Sequence, residues 1–312
     1  MQRSRPNDGL DPPQGCFTGF SVIVPTYRRA PQLQGCLAAL SRQGFSAHRF
    51  EVIVVNDGGP CPRQVDLCRA AGERICLQLL HQANAGPAGA RNAGARRARF
   101  SHLAFTDDDC EPEPDWLLRL AQACQAAPAA MVGTLTRNGL GADRYAQASQ
   151  IVVGAAYRWH NRDPGRAAFL ASNNMVCPRG LFLALGGFSA PFRTAEDRDL
   201  CHRWLQAGGR IVQLDAVLVT HHHALNFAAF WRQHRCYGRG AYHYHRAKAR
   251  RGGGGLSPDL RFLLLLLRES LALRSGSFWS RLRDTPVVGC LALLSQLASL
   301  QGYLEARLFA VR

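Results

Sequence analysis

The stretch Phe20–Pro25 reads FSVIVP, a short β-branched apolar run closed by proline. Continuous apolar runs of this length mark strands buried on both faces. A second run, EVIVVN over Glu51–Asn56, stops at Asp57-Gly58-Gly59, and Ile75–Leu80 reads as a third. His102–Thr106 (HLAFT) is a fourth and ends at Asp107-Asp108-Asp109. Helical stretches lie between them: one sets Leu33, Cys36, Leu37 and Leu40 on one face, and an arginine-rich one covers Ala88–Phe100. Pro114 opens another, because proline is favoured in a first turn. Strands and helices alternating at this spacing predict an α/β fold with a doubly wound, mostly parallel sheet. Such sheets bind ligands at the carboxyl ends of their strands. Thr26, Asp57 and Asp107 are therefore expected on one rim.

Further along, Arg137–Arg166 is weakly patterned. Glu196–Ala207 is expected to be a helix, followed by strands at Arg210–Leu214 and Ala216–Thr220, the latter running into His221-His222-His223. Arg251–Ser257 holds four consecutive glycines and reads as a linker. Two apolar helices are expected around Leu260–Leu273 and Pro286–Leu308. The predicted organisation is a leader over 1–19, a core domain over 20–245, a linker over 246–257 and C-terminal helices over 258–312.

With 312 residues, 47% apolar and 19% charged, the chain can bury a sizeable core, which excludes global disorder. Its 11 cysteines are odd in number and lack CxxC spacing. That argues against a disulfide framework or structural zinc and fits a reducing compartment. Met1–Gly19 has no apolar run and does not read as a signal peptide. The net charge of +16 calls for a polyanionic partner: nucleic acid, an anionic membrane surface or a phosphorylated substrate. Of that charge, +10 belongs to Asn226–Arg283, away from the acidic strand ends. Thr285–Leu304 carries no formal charge over 20 residues, near the length that spans a bilayer. Its Ser295, Gln296, Ser299, Gln301 and Gly302 favour an interfacial or partner-packed helix.

Five constellations carry possible chemistry. Asp107-Asp108-Asp109 at a strand end gathers hard oxygen ligands suited to Mg²⁺ or Mn²⁺, and alternate positions would let Asp107 and Asp109 face one ligand. An acidic solvated turn is the plain alternative. Asp57 can accept hydrogen bonds from a nucleobase or ribose, or can simply cap a turn. Glu196-Asp197 at a helix start reads either as capping or as a general base. In His221-His222-His223, an extended chain allows either His222 alone or His221 with His223 to join a metal site begun by Asp109. Asn84–Gly94 (NAGPAGARNAG) permits close backbone approach to a ligand, with Arg91 able to meet a phosphate.

In order, SVIVPTYRR (Ser21–Arg29), VIVVNDGG (Val52–Gly59), NAGPAGARNAG, FTDDDCEP (Phe105–Pro112), LGGF (Leu185–Phe188) and TAEDRDLCHRWLQAG (Thr194–Gly208) resemble the family-2 glycosyltransferases, which have the GT-A fold. The resemblance covers about Phe20–Tyr244 and implies a nucleotide-binding half over 20–110 and an acceptor half over 111–245. It implies that Pro25, Thr26 and Asp57 hold the nucleotide base. It likewise sets Asp107 on the ribose side, with Asp108 in the same nucleotide-sugar set, and makes Asp109 the ligand of a Mn²⁺ or Mg²⁺ ion that bridges to the diphosphate. Tyr27, Arg28 and Arg91 fall near the same pocket, and His221 or His223 would complete the metal site. Asp197 matches the catalytic base, with Glu196 the less favoured candidate.

The activity implied is inverting transfer of one sugar from a nucleotide diphosphate-sugar, uridine type favoured, to a hydroxyl on a glycan or lipid-linked acceptor in cell-surface synthesis. Gln233-His234-Arg235-Cys236-Tyr237 lacks the QxxRW signature of processive relatives, which speaks for single transfer. A sugar-1-phosphate nucleotidyltransferase would share the fold, but PTYRRAP lacks its glycine- and lysine-rich signature. A nucleic-acid binder would use the arginines and tyrosines of Trp231–Arg251 yet leave the acidic clusters unexplained. The separation of charge makes nucleic acid the less natural partner and favours a peripheral, cytoplasmic-side position on an anionic membrane.

Overall fold

The computed structural model describes residues 17–190, 192–253, 260–271 and 278–310. The expected leader up to residue 16 and the linker glycines from residue 254 lie outside the described residues. The four expected strands are present as β1 (Phe20–Thr26), β2 (Phe50–Asn56), β3 (Leu77–His81) and β4 (His102–Thr106). They pair in parallel in the order β3-β2-β1-β4. Every residue of β2 and β4 is buried, because helices cover both faces. Alternate side chains serve opposite faces. Val22, Val24, Val52 and Val54 pack with Leu33 and Leu37 of α1 (Ala30–Leu40), and Ile23, Ile53 and Val55 pack with Ala88, Ala90 and Ala95 of α3 (Gly86–Arg97). α2 (Pro62–Gly72) lies beside α1 on the first of these faces, burying Cys68 there.

The second half adds β5 (Cys110–Pro112), α4 (Trp116–Ala126), β6 (Met131–Asn138), α5 (Arg144–His160), β7 (Asn174–Pro178), α6 (Arg179–Ala184), α7 (Glu196–Gln206) and β8 (Ile211–His221). One eight-stranded sheet results, ordered β3-β2-β1-β4-β7-β6-β8-β5. β7 runs antiparallel to β4 and β6, and β5 antiparallel to β8. The two strands expected at 210–220 are a single strand. Its register against β6 shifts between Gly133 and Leu135, opposite Gln213 and Val217, so the polar Asp215 that interrupted the apolar pattern lies in an irregularity of one strand. The weakly patterned middle holds α5, a 17-residue helix in which half of the buried residues are alanine (Ala146, Ala148, Ala155), a weak hydrophobic signal.

The expected boundary at 245/246 falls inside α8 (Phe227–Arg250). Beyond it, α9 (Leu260–Leu271) and α10 (Phe278–Phe309) are built onto α5 and α8, sharing Ile151, Phe230, Leu266, Val288 and Ala292. α10 begins at Phe278 and carries Pro286 within it rather than at its first turn. It crosses α8 so closely that a Cβ on Gly238 would stand 1.8 Å from the Ser299 carbonyl oxygen, and one on Gly302 1.9 Å from that of Arg235. Glu305 of α10 accepts hydrogen bonds from Arg235 and Arg239. The outward face of α10 is apolar, with Leu297, Leu300, Leu304 and Leu308 exposed. Its Asp284–Phe309 stretch is long and apolar enough to cross a membrane, with a mean hydropathy of 1.5.

Candidate active site

The carboxyl ends of β1, β2 and β4, the end of β8 and the start of α7 converge on one rim. After β4 the chain turns tightly, the Cys110 N–H donating to the Asp107 carbonyl at 3.1 Å. The triad is thus a turn rather than the extended segment expected, and its carboxylates divide between two arginines: Arg91 holds Asp107, while Arg29 lies against both Asp108 and Asp109. Asp107 accepts from Arg91 Nη2 at 2.6 Å. Asp108 faces back into the fold and accepts from Thr26 Oγ1 and Arg29 Nη1, each at 2.8 Å. Burial pushes its carboxyl up to about 6, against the pull of Arg29. Asp109 lies 3.1 Å from Arg29 Nη1 and 3.3 Å from His221 Nε2. Burial opposes ionisation of Asp109, but the His221 hydrogen bond and charge together with Arg29 hold its carboxyl well below the usual range.

His221 and His223 share this corner. The His222 N–H donates to the Asp109 carbonyl at 2.8 Å, locking the end of β8 against the acidic turn. His223 Nδ1 lies 3.2 Å from His221 Nε2, and its Nε2 lies 2.7 Å from Gln233 Oε1. Gln233 Nε2 in turn donates to the Tyr237 hydroxyl at 2.7 Å. Ligand atoms of Asp109, His221 and His223 all fall within 4.8 Å of one another. His222 points away, its Nε2 3.4 Å from Glu111. Of the two arrangements open in the sequence, the fold thus brings His221 and His223 together. One carboxylate oxygen and two imidazole nitrogens converging in a half-buried corner fit a divalent cation.

Asp57 spends both oxygens on the chain. Oδ1 accepts from Gln82 Nε2 (2.7 Å) and the Ala85 N–H (2.8 Å), and Oδ2 from the Gly86 N–H (2.8 Å). It therefore ties the end of β2 to the start of α3, the capping role left open above. Pro25 and Thr26 close β1 opposite Val55 and Asn56. Tyr27 lies on the rim, 43% exposed, against Gly58, where a Cβ would come within 2.8 Å of its ring. Arg28 adopts a left-handed backbone (φ 55°) and stacks over Tyr27 at 5.2 Å. That turn sends Arg28 outward and Arg29 into the acidic cluster. Sequence reasoning singled out Arg28 and missed Arg29, since the two are the same residue type and only the backbone direction separates them.

Opposite stands the start of α7. Ala195 is held left-handed at φ 67°, a costly conformation for a residue with a Cβ. α8 braces it: Thr194 Oγ1 donates to the Cys236 carbonyl at 2.8 Å, and a Cβ on Gly240 would lie 2.2 Å from that hydroxyl. Glu196 is buried and accepts from Arg91 Nη1 at 2.9 Å, so Arg91 bridges it to Asp107. Asp197 accepts from the Arg198 N–H (2.7 Å) and, more weakly, from that of Ser172 (3.4 Å). Burial and the neighbouring Asp197 push Glu196 up to about 7, and burial likewise raises Asp197.

This fold and rim define a GT-A protein. A sequence model described as glycosyl transferase family 2 matches residues 21–185, and the chain belongs to that family. The pre-mycofactocin glycosyltransferase of Mycobacterium tuberculosis is 30% identical over 222 residues, covering 68% of this chain and 44% of that protein. Glycosyltransferase AglE of Haloferax volcanii is 30% identical over 131 residues, covering 40% and 43%. The chain thus spans less than half the length of these curated relatives. Among solved structures, mannosyltransferase PcManGT from Pyrobaculum calidifontis, in complex with GDP-Man and Mn²⁺, superposes with a TM-score of 0.62 at 20% identity, over 92% of this chain and 85% of that one. S. aureus TarS 1-349 in complex with UDP-GlcNAc superposes with a TM-score of 0.55 at 16% identity, over 91% and 89%.

Proposed function

We propose that the chain transfers a single sugar, with inversion, from a nucleotide diphosphate-sugar to a hydroxyl acceptor, using a divalent cation and Asp197 as general base. The observation that carries this reading is the pairing of two devices across one rim: the Asp109–His221–His223 convergence and the strained Glu196–Asp197 turn, joined through Asp107–Arg91–Glu196. Neighbours of the same fold holding GDP-Man with Mn²⁺ or UDP-GlcNAc support a nucleotide-sugar donor. Asp109, His221 and His223 would hold the cation, and the two imidazoles favour Mn²⁺ over Mg²⁺, which prefers oxygen and water. When bound, that ion neutralises charge gathering on the departing diphosphate.

The chain's own residues supply the rest. Pro25, Thr26, Tyr27 and Arg28 border the donor's nucleotide, with Asp57 shaping the floor through the start of α3. Asp107, oriented by Arg91, faces the ribose side, and Asp108 braces the turn from below. Asp197 removes the proton from the acceptor hydroxyl as that oxygen attacks the anomeric carbon from the face opposite the diphosphate. The exposed leucines of α10 and the +10 charge of Asn226–Arg283 support a peripheral position on the anionic inner face of the cell membrane, where glycan or lipid-linked acceptors are met.

A panel of sugar-nucleotides assayed for released nucleoside diphosphate tests this reading. Turnover is expected with Mn²⁺ and is expected to vanish in chelator; unchanged turnover in chelator sinks the metal assignment, and consumption of a nucleoside triphosphate with sugar phosphate would favour the nucleotidyltransferase alternative.

Gln233 extends the metal corner. Because its amide nitrogen is committed to Tyr237, its oxygen faces His223 Nε2, which must carry the proton, leaving the Nδ1 lone pair toward His221. Gln233→Leu should weaken Mn²⁺ binding by about 10- to 100-fold by calorimetry. Gln233→Glu, which can still accept from His223, should restore most of it; equal affinity in Gln233→Leu would refute the role.

A further inference from the structure

We propose that Arg198, Lys248, His160 and His245 form a binding site for a phosphate group carried by the acceptor, one to two helical turns beyond Asp197. Its assignment to the acceptor rests on Asp197 being the base.

Arg198 follows the base directly, and its guanidinium carbon sits 5.0 Å over the Tyr244 ring of α8. Gly240 packs against Thr194 just before the base, and Tyr244, His245 and Lys248 follow it along α8, about 6–12 Å further on. His160 ends α5 beside Phe169, at 6.0 Å between rings, and Phe169 contacts Tyr157 at 5.3 Å on the same wall. Among the described residues, the side chains of Arg198 and Lys248 make no ion pair. Of the two carboxylates nearest that region, Asp199 is already taken up by Ser189, Arg203 and Arg251, and Asp197, the base, is the one that Arg198 helps to ionise. His245 Nδ1 is buried without a hydrogen-bond partner.

The electrostatics agree with the geometry. Burial, then the charges of Arg198 and Lys248, push the imidazoles of both His160 and His245 down to about 4. The imidazoles are therefore neutral near pH 7 and can donate, while Arg198 and Lys248 bring two positive charges to the one nearby carboxylate left to them, Asp197, so the site accommodates a further anion. Helix dipoles account for part of the cluster: Lys248 and His160 lie in the last turns of α8 and α5, where cations are favoured. They do not account for Arg198, which lies in the first turn of α7, where a cation is disfavoured. A phosphate offers several charged oxygens to an arginine fork and an ammonium together. That phosphate belongs either to a soluble phosphorylated sugar or to a lipid-borne acceptor.

Lys248 is the single lysine of the chain, which makes the test specific. Acylation of Lys248 by an amine-reactive reagent, followed by mass spectrometry of its peptide, should slow about tenfold when phosphate occupies the site, the order expected for a charge-assisted contact. Glucose 6-phosphate is one probe and vesicles containing phosphatidic acid are the other; glucose and phosphatidylcholine vesicles are the controls. Protection by glucose 6-phosphate points to a soluble acceptor, and protection by phosphatidic acid vesicles alone to a lipid-borne one. Either should be lost in Arg198→Gln. Labelling unaffected by both phosphates overturns the proposal, as does vesicle protection that persists in Arg198→Gln, which would signify adsorption elsewhere on the helices. Lys248→Gln should leave acceptor-free donor hydrolysis unchanged and raise KM for a phosphorylated acceptor about tenfold. Absence of sugar transfer by the wild-type chain with every donor and acceptor tried would instead defeat the transferase reading and leave the protection result standing.

Discussion

Asp197→Asn is expected to abolish sugar transfer while leaving donor affinity intact. The substitution preserves shape, and the amide oxygen can still accept from the Arg198 N–H, the shorter of the two bonds that hold the carboxylate, giving up only the long one from the Ser172 N–H. What is lost is the capacity to take a proton, which for a general base is worth about 100- to 10,000-fold. Glu196 cannot stand in. It is buried, and Arg91 holds it at 2.9 Å on the side facing Asp107. Transfer measured as nucleoside diphosphate released with acceptor, beside donor affinity by calorimetry, separates the two quantities; near wild-type transfer would refute the base. The pH profile offers a second check. Burial raises both acids of the pair, Glu196 to about 7, and the two titrate as one coupled system. The base works ionised, so the wild-type rate should climb as pH rises through the pair's range.

How much of this was legible beforehand depends on what kind of signal each part leaves. β1, β2 and β4 were readable because strands buried on both faces have no polar alternation to obscure them. α5 was not, because half of its buried positions are the small Ala146, Ala148 and Ala155, which mark a core face only weakly. The antiparallel β7 was not either, since an apolar run carries no information about strand direction. In the site, residue types and spacing singled out Asp109, His221 and His223, and the structure gathers them. Alternation along an extended chain was the wrong guide to Asp107-Asp108-Asp109, where a turn sends Asp108 inward to Thr26 and Arg29. Gln233 was quoted only for the missing arginine-tryptophan; its role depends on α8 passing beside the end of β8, which no local pattern encodes.

Arg91→Met should be the most destabilising single change at the rim. Arg91 is buried, with one nitrogen on Asp107 at 2.6 Å, another on Glu196 at 2.9 Å and its guanidinium 5.6 Å from the Phe188 ring. Methionine fills much of the volume but leaves two carboxylates facing each other without a cation. Breaking a buried pair by removing one partner costs about 3–5 kcal/mol. Arg91→Lys should recover only part of it, because an ammonium cannot reproduce a fork that meets two carboxylates from one plane. The loss should depend on pH with a definite sign. Glu196 is already pushed up to about 7 in the fold, and losing Arg91 moves it higher, so the folded variant binds more protons than the unfolded chain. Its stability therefore falls as pH rises above the ordinary carboxylate range, and recovers as pH drops and the carboxyl is protonated. Denaturant midpoints at pH 5 and pH 8 check this: the gap between variant and wild type should widen at pH 8. An equal gap at both would mean that Arg91 acts through packing on Phe188 alone. In the proposed reaction the same bridge orients Asp107 toward the donor and confines Glu196 beside the base, so a variant stable enough to assay should lose donor affinity and transfer together, whereas Asp197→Asn separates them.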